Sequence, residues 1–153
     1  MKDILVEGKN CWRIAKAARA TFLIDGENYF RTLRETLLAA RHCIFIVGWD
    51  LHSELELVRD GSDDGHPRKL GELLNHLAAR RPDLNIYLLY WDFAMIYALE
   101  REFFPRYKLQ WQTHDRVHFG LDGEHPIGAS HHEKLVVVDD RIAAVGPPDA
   151  DRA

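Results

Sequence analysis

Apolar and polar positions in the first half of the chain predict alternating strands and helices. Between residues 27 and 41, apolar side chains recur every three or four residues, which is the spacing of one helix face. The apolar run at 43–47 is short and rich in β-branched residues, which predicts a strand buried on both faces. A further short strand is predicted over 21–24, ending at the turn signal Asp25-Gly26.

The second half continues the alternation and closes with a hairpin. Pro67 suits the first turn of a helix, because leucines follow it at helical spacing. The remaining predictions are a strand over 85–90, a helix over 94–103, a strand over 116–119, and paired strands over 135–138 and 142–145. The corner Asp139-Asp140 between the last two is typical of a hairpin turn.

This order of elements predicts an α/β fold, a layered α-β-α sandwich around a mostly parallel, mixed sheet. The chain has 153 residues, which is the usual size of one domain. We divide it into an N-terminal segment at 1–20, a folded domain at 21–146 and an irregular tail at 147–153.

Composition narrows the class of protein. The net charge is −4, from 20 Lys and Arg against 24 Asp and Glu, so a basic field for nucleic acid is absent. No apolar run approaches the roughly 20 residues that cross a bilayer, and acidic residues interrupt the start of the chain before any signal peptide could form. We therefore expect a cytoplasmic protein, with peripheral contact at a membrane surface as a further expectation.

The candidate chemistry lies at residues 130–139. His132 and Lys134 are two positions apart, so on an extended strand their side chains project from the same face. An imidazole beside an ammonium group suits attack on a phosphodiester, because the cation binds phosphate oxygens while a ring nitrogen attacks phosphorus.

The segment His132-x-Lys134-x4-Asp139 resembles the H-x-K-x4-D motif of the phospholipase D superfamily. Residues 23–30 and 44–50 resemble the N-terminal half of bacterial phospholipase D-like and cardiolipin synthase-like proteins. The resemblance extends from about Asp25 to Gly146. It implies one half of a pseudo-twofold fold.

The resemblance also implies the activity, a metal-free phosphodiesterase or phosphatidyl transferase that acts on phospholipid through a phosphohistidine and needs no cofactor. The catalytic residues that it implies are His132 as nucleophile, Lys134 as phosphate ligand and Asp139 as the third motif residue. Because Asp139 lies seven positions after His132, we interpret it as a corner residue that holds the hairpin. The substrate-binding candidates are Trp49, His131 and Asp149.

Two departures from the family pattern leave alternatives open. The sequence holds one H-x-K-x4-D copy, and Pro147 stands where the family has a small or hydroxyl residue. The first hypothesis is a truncated or frameshifted N-terminal half that needs a second motif half. The alternatives are a homodimeric endonuclease and a catalytically inactive half-domain. The endonuclease would act on nucleic acid, which we expect less than a phospholipid.

A metal site is the other chemistry that nine histidines suggest. The run His131-His132-Glu133 does not meet the His-Glu-x-x-His spacing, since Val136 stands at the second histidine position. His114 and His118 are spaced to share a face, but no third ligand is evident. We therefore predict no metal.

Overall fold

The computed structural model describes residues 4–48, 52–59, 61, 64–91, 113–124, 126 and 132–146. In chain order, these residues form α1 (Gly26–Ala39), β1 (Cys43–Gly48), α2 (Leu70–Arg80), β2 (Asn85–Trp91), β3 (Val117–Asp122), β4 (Lys134–Val138) and β5 (Ile142–Val145). The predicted helix at 94–103 lies outside the described residues. Within those residues, neither helix is long and apolar enough to span a membrane.

The strands form one mixed sheet in the order β3-β2-β1-β4-β5. β1 pairs with β2, and β2 with β3, in parallel; β4 pairs antiparallel with both β1 and β5. This arrangement confirms the predicted α/β class. It also places β4, the strand that follows His132, directly beside the central strand β1.

One face of the sheet forms the hydrophobic core with both helices. Alternate strand positions point to this face, and they are buried together with the apolar stripes of α1 and α2. The strand residues in this core include Ile44, Ile46, Ile86, Leu88, Val136 and Val138.

The opposite face is only half covered. Phe45, Tyr87 and Leu89 each keep close to two-fifths of their surface exposed, so the prediction that β1 is buried on both faces is wrong. The rings of Phe45 and Tyr87 stack at 4.8 Å, and the ring of His118 stacks on Tyr87 at 4.9 Å. The stack follows from the register, which aligns these three residues across β1, β2 and β3.

The strand predicted over 21–24 and the predicted start of α2 differ from the structure. Residues 21–24 are irregular and exposed, so the predicted strand there is wrong; a strand needs a partner, and none of the described strands pairs with these residues. Helix α2 begins at Leu70, three residues after Pro67, because Lys69 is still extended. Helix α1 begins at Gly26, one residue before the predicted start, and ends at Ala39, two residues before the predicted end. The Asp25 carboxylate caps its start by accepting the Asn28 N–H at 2.9 Å.

The predicted hairpin is confirmed. Asp139 and Asp140 both have positive φ, +52° and +51°, and the Arg141 N–H donates to the Val138 carbonyl at 3.1 Å. Positive φ at both central positions is the signature of the turn type that matches the twist of a hairpin.

Candidate active site

The backbone of Lys134 is fixed between two strands. Lys134 is the first residue of β4 and pairs with Gly48, the last residue of β1, while its carbonyl accepts the Gly146 N–H at 2.9 Å. This point lies at the carboxyl end of β1 and β2, the end at which open α/β sheets bind their ligands.

The side chain of Lys134 starts on the helix-covered face. It shares that face with Val136 and Val138, which are buried, whereas Lys134 is half-buried. Partial burial is common for lysine, because its aliphatic stem can pack on apolar surface while the charged group stays in water.

His132 lies two residues before β4, and both it and Glu133 are exposed. The imidazole is therefore not part of the apolar core. Because His132 precedes the strand, the shared orientation of its ring and the Lys134 ammonium stays a prediction.

Asp139 lies at the opposite end of β4, where backbone N–H groups at the start of β1 bind its carboxylate. Its Oδ1 accepts the N–H groups of His42 at 2.7 Å and Cys43 at 2.9 Å, and its Oδ2 accepts the Arg41 N–H at 2.8 Å. Its own N–H donates to the Cys43 carbonyl at 2.9 Å. Burial alone would raise the pKa of the Asp139 carboxyl, but the three donors outweigh it and hold that pKa below its usual value.

The motif is thus divided between two ends of one strand. Lys134 and Asp139 are five positions apart, which corresponds to about 17 Å of extended chain. Asp139 joins the hairpin to the junction of α1 and β1, as expected for a corner residue. We therefore assign it to holding the fold rather than to contact with a substrate.

Comparison with known proteins identifies the origin of this arrangement. The sequence model of the family described as phospholipase D matches residues 36–150, which include β1, β4 and the whole motif. The chain belongs to the phospholipase D family.

Individual relatives agree with this assignment. Phospholipase D B of Dictyostelium discoideum is 30% identical over 132 residues, covering 84% of this chain and 10% of that protein. Phospholipase D C of the same organism is 31% identical over 135 residues, covering 82% of this chain and 8% of its own length. Phospholipase D alpha 1 of Oryza sativa subsp. japonica is 34% identical over 77 residues, covering 46% of this chain and 9% of that protein.

The chain therefore spans about a tenth of the length of these relatives. They come from an amoeba and a plant, so the bacterial part of the resemblance is not confirmed.

Three further site candidates, Trp49, His131 and Asp149, lie outside the described residues of this member of the phospholipase D family. Their described chain neighbours are Gly48, His132 and Gly146. Gly48 precedes Trp49 directly, and Gly146 has a φ of +86°, which a side chain at that position would strain. The roles of the three candidates stay predictions.

A buried arginine that the sequence reasoning missed fixes the segment after β1. Arg34 of α1 is 3% exposed; its guanidinium bonds both oxygens of Asp64, at 2.7 and 2.9 Å, and the Pro67 carbonyl at 2.6 Å. The Arg34 hydrogen bond lowers the pKa of the Asp64 carboxyl. The available signal was a charged residue between the apolar helix positions Leu33 and Leu37.

The same segment carries a pair of histidines. His66 Nδ1 lies 3.1 Å from His76 Nε2 of α2, and the two rings are almost perpendicular. Burial, followed by the charges of Arg80, His66 and Arg81, lowers the pKa of His76. A neutral pair can share one proton in this contact, whereas a doubly protonated pair cannot.

The structure gives no support to a metal centre in the part of the chain that it describes. No group of three or more His, Cys, Asp or Glu residues is placed to bind an ion there. His114 Nδ1 accepts the Arg116 N–H at 3.2 Å, while His118 stacks on Tyr87. The two histidines thus have separate local roles.

Proposed function

We propose that this chain provides the nucleophile-bearing part of a phospholipase D-type site, which cleaves or transfers phosphodiesters through a phosphohistidine at His132. The observation that supports it best is the place of the motif. Lys134 is fixed at the carboxyl end of β1, and exposed His132 lies two residues before it. The family match covers both residues.

The proposed first step forms a P–N bond and breaks a P–O bond. A neutral imidazole nitrogen of His132 attacks phosphorus, and the ester oxygen leaves with its electron pair as an alcohol once it has received a proton. Lys134 offsets the charge on the non-bridging oxygens as the trigonal-bipyramidal arrangement develops. Water or a second alcohol then attacks phosphorus, which breaks the P–N bond and restores His132.

A phospholipid is the substrate class that we favour. The relatives named above are all phospholipases D by name. The net charge of −4 is unfavourable for a nucleic-acid substrate, whose binding depends on neutralised phosphates.

The test measures attack by His132 on a substrate whose leaving group does not need to be protonated. A p-nitrophenyl phosphodiester releases a phenolate that leaves without being protonated, so a competent His132 gives a burst of one phenolate per chain. We expect an acid-labile adduct on His132 by mass spectrometry. His132→Asn should abolish the burst, and His42→Asn, a change at another exposed histidine, should keep it. A burst that survives His132→Asn, or an adduct on another residue, would refute the proposal.

Turnover is expected to need a second motif. The sequence contains one H-x-K-x4-D copy, so we propose that a second histidine, from another polypeptide segment or a second copy of this chain, protonates the leaving group. Light scattering alongside the nitrophenyl assay distinguishes the sources. Turnover that rises with the dimer fraction supports a second copy, whereas a burst without turnover in a strict monomer supports a separate segment. Neither burst nor turnover would indicate an inactive half-domain.

A further inference from the structure

The N-terminal arm, defined here as residues 4–24, carries a cluster of positive charge. Its cations are Lys9, Arg13, Lys16 and Arg19, and no acidic residue occurs between positions 8 and 24. All four are exposed, and no ion pair among the described residues involves them. Glu7 is the one acidic residue of the arm, so its four cations leave a formal charge of +3, although the chain as a whole is negative.

Large apolar side chains accompany these cations. Trp12 is 88% exposed and Phe22 is 97% exposed, and Ile4, Ile14 and Ile24 are also exposed. Within the arm, Cys11 alone is half-buried. Apolar residues this large and this numerous on one segment are uncommon on a soluble surface and indicate an interaction site.

The start of the arm has a defined shape. The side chain of Asn10 accepts the Val6 N–H at 2.7 Å and donates to the Ile4 carbonyl at 2.8 Å. The Gly8 N–H donates to the Cys11 carbonyl at 2.8 Å, and Gly8 has a φ of +77°. This closed turn is followed directly by Trp12 and Arg13, an aromatic ring beside a cation.

We propose that the arm binds an anionic lipid surface, with its four cations at the headgroups and the rings of Trp12 and Phe22 in the interfacial layer. Each Lys or Arg near such a surface strengthens binding by roughly fivefold. Tryptophan is favoured where an apolar body meets a polar headgroup region. The proposal goes beyond the phosphodiester chemistry, since it requires neither His132 nor Lys134.

Charge and side-chain type favour lipid over nucleic acid. Nucleic acid would use the cations and could stack on Trp12, but it has no place for exposed Ile4, Ile14 and Ile24. A lipid surface accommodates all three kinds of side chain. The acidic remainder of the chain also makes the arm the part that an anionic surface attracts.

Vesicle binding tests the proposal. The full chain is mixed with neutral phosphatidylcholine vesicles and with vesicles containing phosphatidylglycerol, and sedimentation measures the bound fraction. We expect at least tenfold tighter binding to the anionic vesicles, weakening in about 1 M salt because the screening length falls to about 3 Å. Trp12→Phe should remove the fluorescence blue shift on binding, and Trp12→Ala should weaken binding severalfold.

Two triple variants with the same change in net charge provide the control. Arg13→Gln with Lys16→Gln and Arg19→Gln should weaken anionic-vesicle binding at least tenfold. Arg41→Gln with Arg80→Gln and Arg141→Gln removes three exposed cations elsewhere and should change it less than threefold.

Equal losses in the two triple variants, or equal binding to neutral and anionic vesicles, would overturn the proposal. So would binding of duplex DNA without binding of vesicles. His132→Asn should bind vesicles like the unmodified chain, so failure of the catalytic proposal and failure of this one are distinguishable.

Discussion

Replacing Asp139 with asparagine tests the assignment of this motif residue to the fold. Asparagine has nearly the shape of aspartate and tolerates the left-handed backbone that Asp139 adopts, with φ at +52°. The change therefore acts on the hydrogen bonds and leaves the turn sterically intact. We expect Asp139→Asn to destabilise the chain without changing its secondary structure.

The magnitude follows from the three donors. An amide oxygen can still accept the N–H groups that Oδ1 accepts, but the amide NH₂ would face the Arg41 N–H that Oδ2 now accepts. One charge-assisted bond, about 1.5–3 kcal/mol, is lost, and two others weaken by about 1 kcal/mol each. Because Arg41 and His42 are exposed, water can replace part of the lost hydrogen bonding to their N–H groups. We therefore expect the free energy of unfolding to fall by about 2–3 kcal/mol.

The loss should depend on pH with a defined sign. The pKa of Asp139 is held below its usual value in the folded chain, so the folded state favours the carboxylate. The Asp139 carboxylate therefore makes its full contribution to the free energy of unfolding above the unfolded-state pKa of about 3.9. That contribution is lost as pH falls through the lower folded-state pKa. The difference in unfolding free energy between the parent chain and Asp139→Asn should be constant from about pH 5 to 8 and shrink below about pH 4.

Urea unfolding followed by circular dichroism measures these differences, and Asp140→Asn is the matched control. Asp140 lies in the same turn with φ at +51°, but its side chain is exposed, so we expect a change of less than about 0.5 kcal/mol. Equal destabilisation by the two variants, or a loss at Asp139 that persists unchanged in acid, would refute the reasoning.

Two other predictions concern the segment between β1 and α2. Arg34→Lys keeps the charge but loses the planar fork that binds Asp64 and the Pro67 carbonyl, so urea unfolding should show a loss of about 2–4 kcal/mol. Arg31→Lys, at a half-exposed side chain of the same helix, should cost less than about 0.5 kcal/mol. A small Arg34 effect would contradict the clamp. Because the pKa of His76 is lowered in the folded chain, neutral His76 makes its full contribution to stability above about pH 6.5, and this contribution declines as pH falls below that value. His76→Gln should flatten the decline, whereas His42→Gln should leave it unchanged. Urea unfolding midpoints measured between pH 7 and 5 test this difference.

The sequence predicted α1, α2 and the hairpin because each depends on residues that are close together in the chain. The apolar stripe of α1 and the Asp-Asp corner both lie within short stretches of chain. The prediction for 21–24 failed because a strand forms only where another strand can pair with it. The prediction for β1 failed for a related reason, since an apolar run does not show whether one or two layers cover it. Phe45, on the face that neither described helix covers, stacks on the ring of Tyr87 instead.

The site shows the same division between local and distant information. The motif identified His132 and Lys134 as the candidate pair, and the seven-residue separation indicated that Asp139 is a corner residue. In the structure β4 begins at Lys134, so His132 lies before the strand. The sequence could not show that Asp139 binds the N–H groups of residues 41–43, almost a hundred positions earlier. The Arg34–Asp64 pair was hidden for the same reason, because its partners are 30 residues apart and meet only through packing.

The register explains why the motif has a fixed internal spacing. β4 runs antiparallel to β1, so Lys134 lies opposite Gly48 at one end of β1 while Asp139 bonds Cys43 at the other. The six residues from Lys134 to Asp139 therefore match the six residues of β1. Adding or removing one residue there would turn Val136 and Val138 away from the core, or would separate the Asp139 carboxylate from its donors. Asp139 thus sets the position of Lys134 from the far end of the strand, which requires no contact with a substrate.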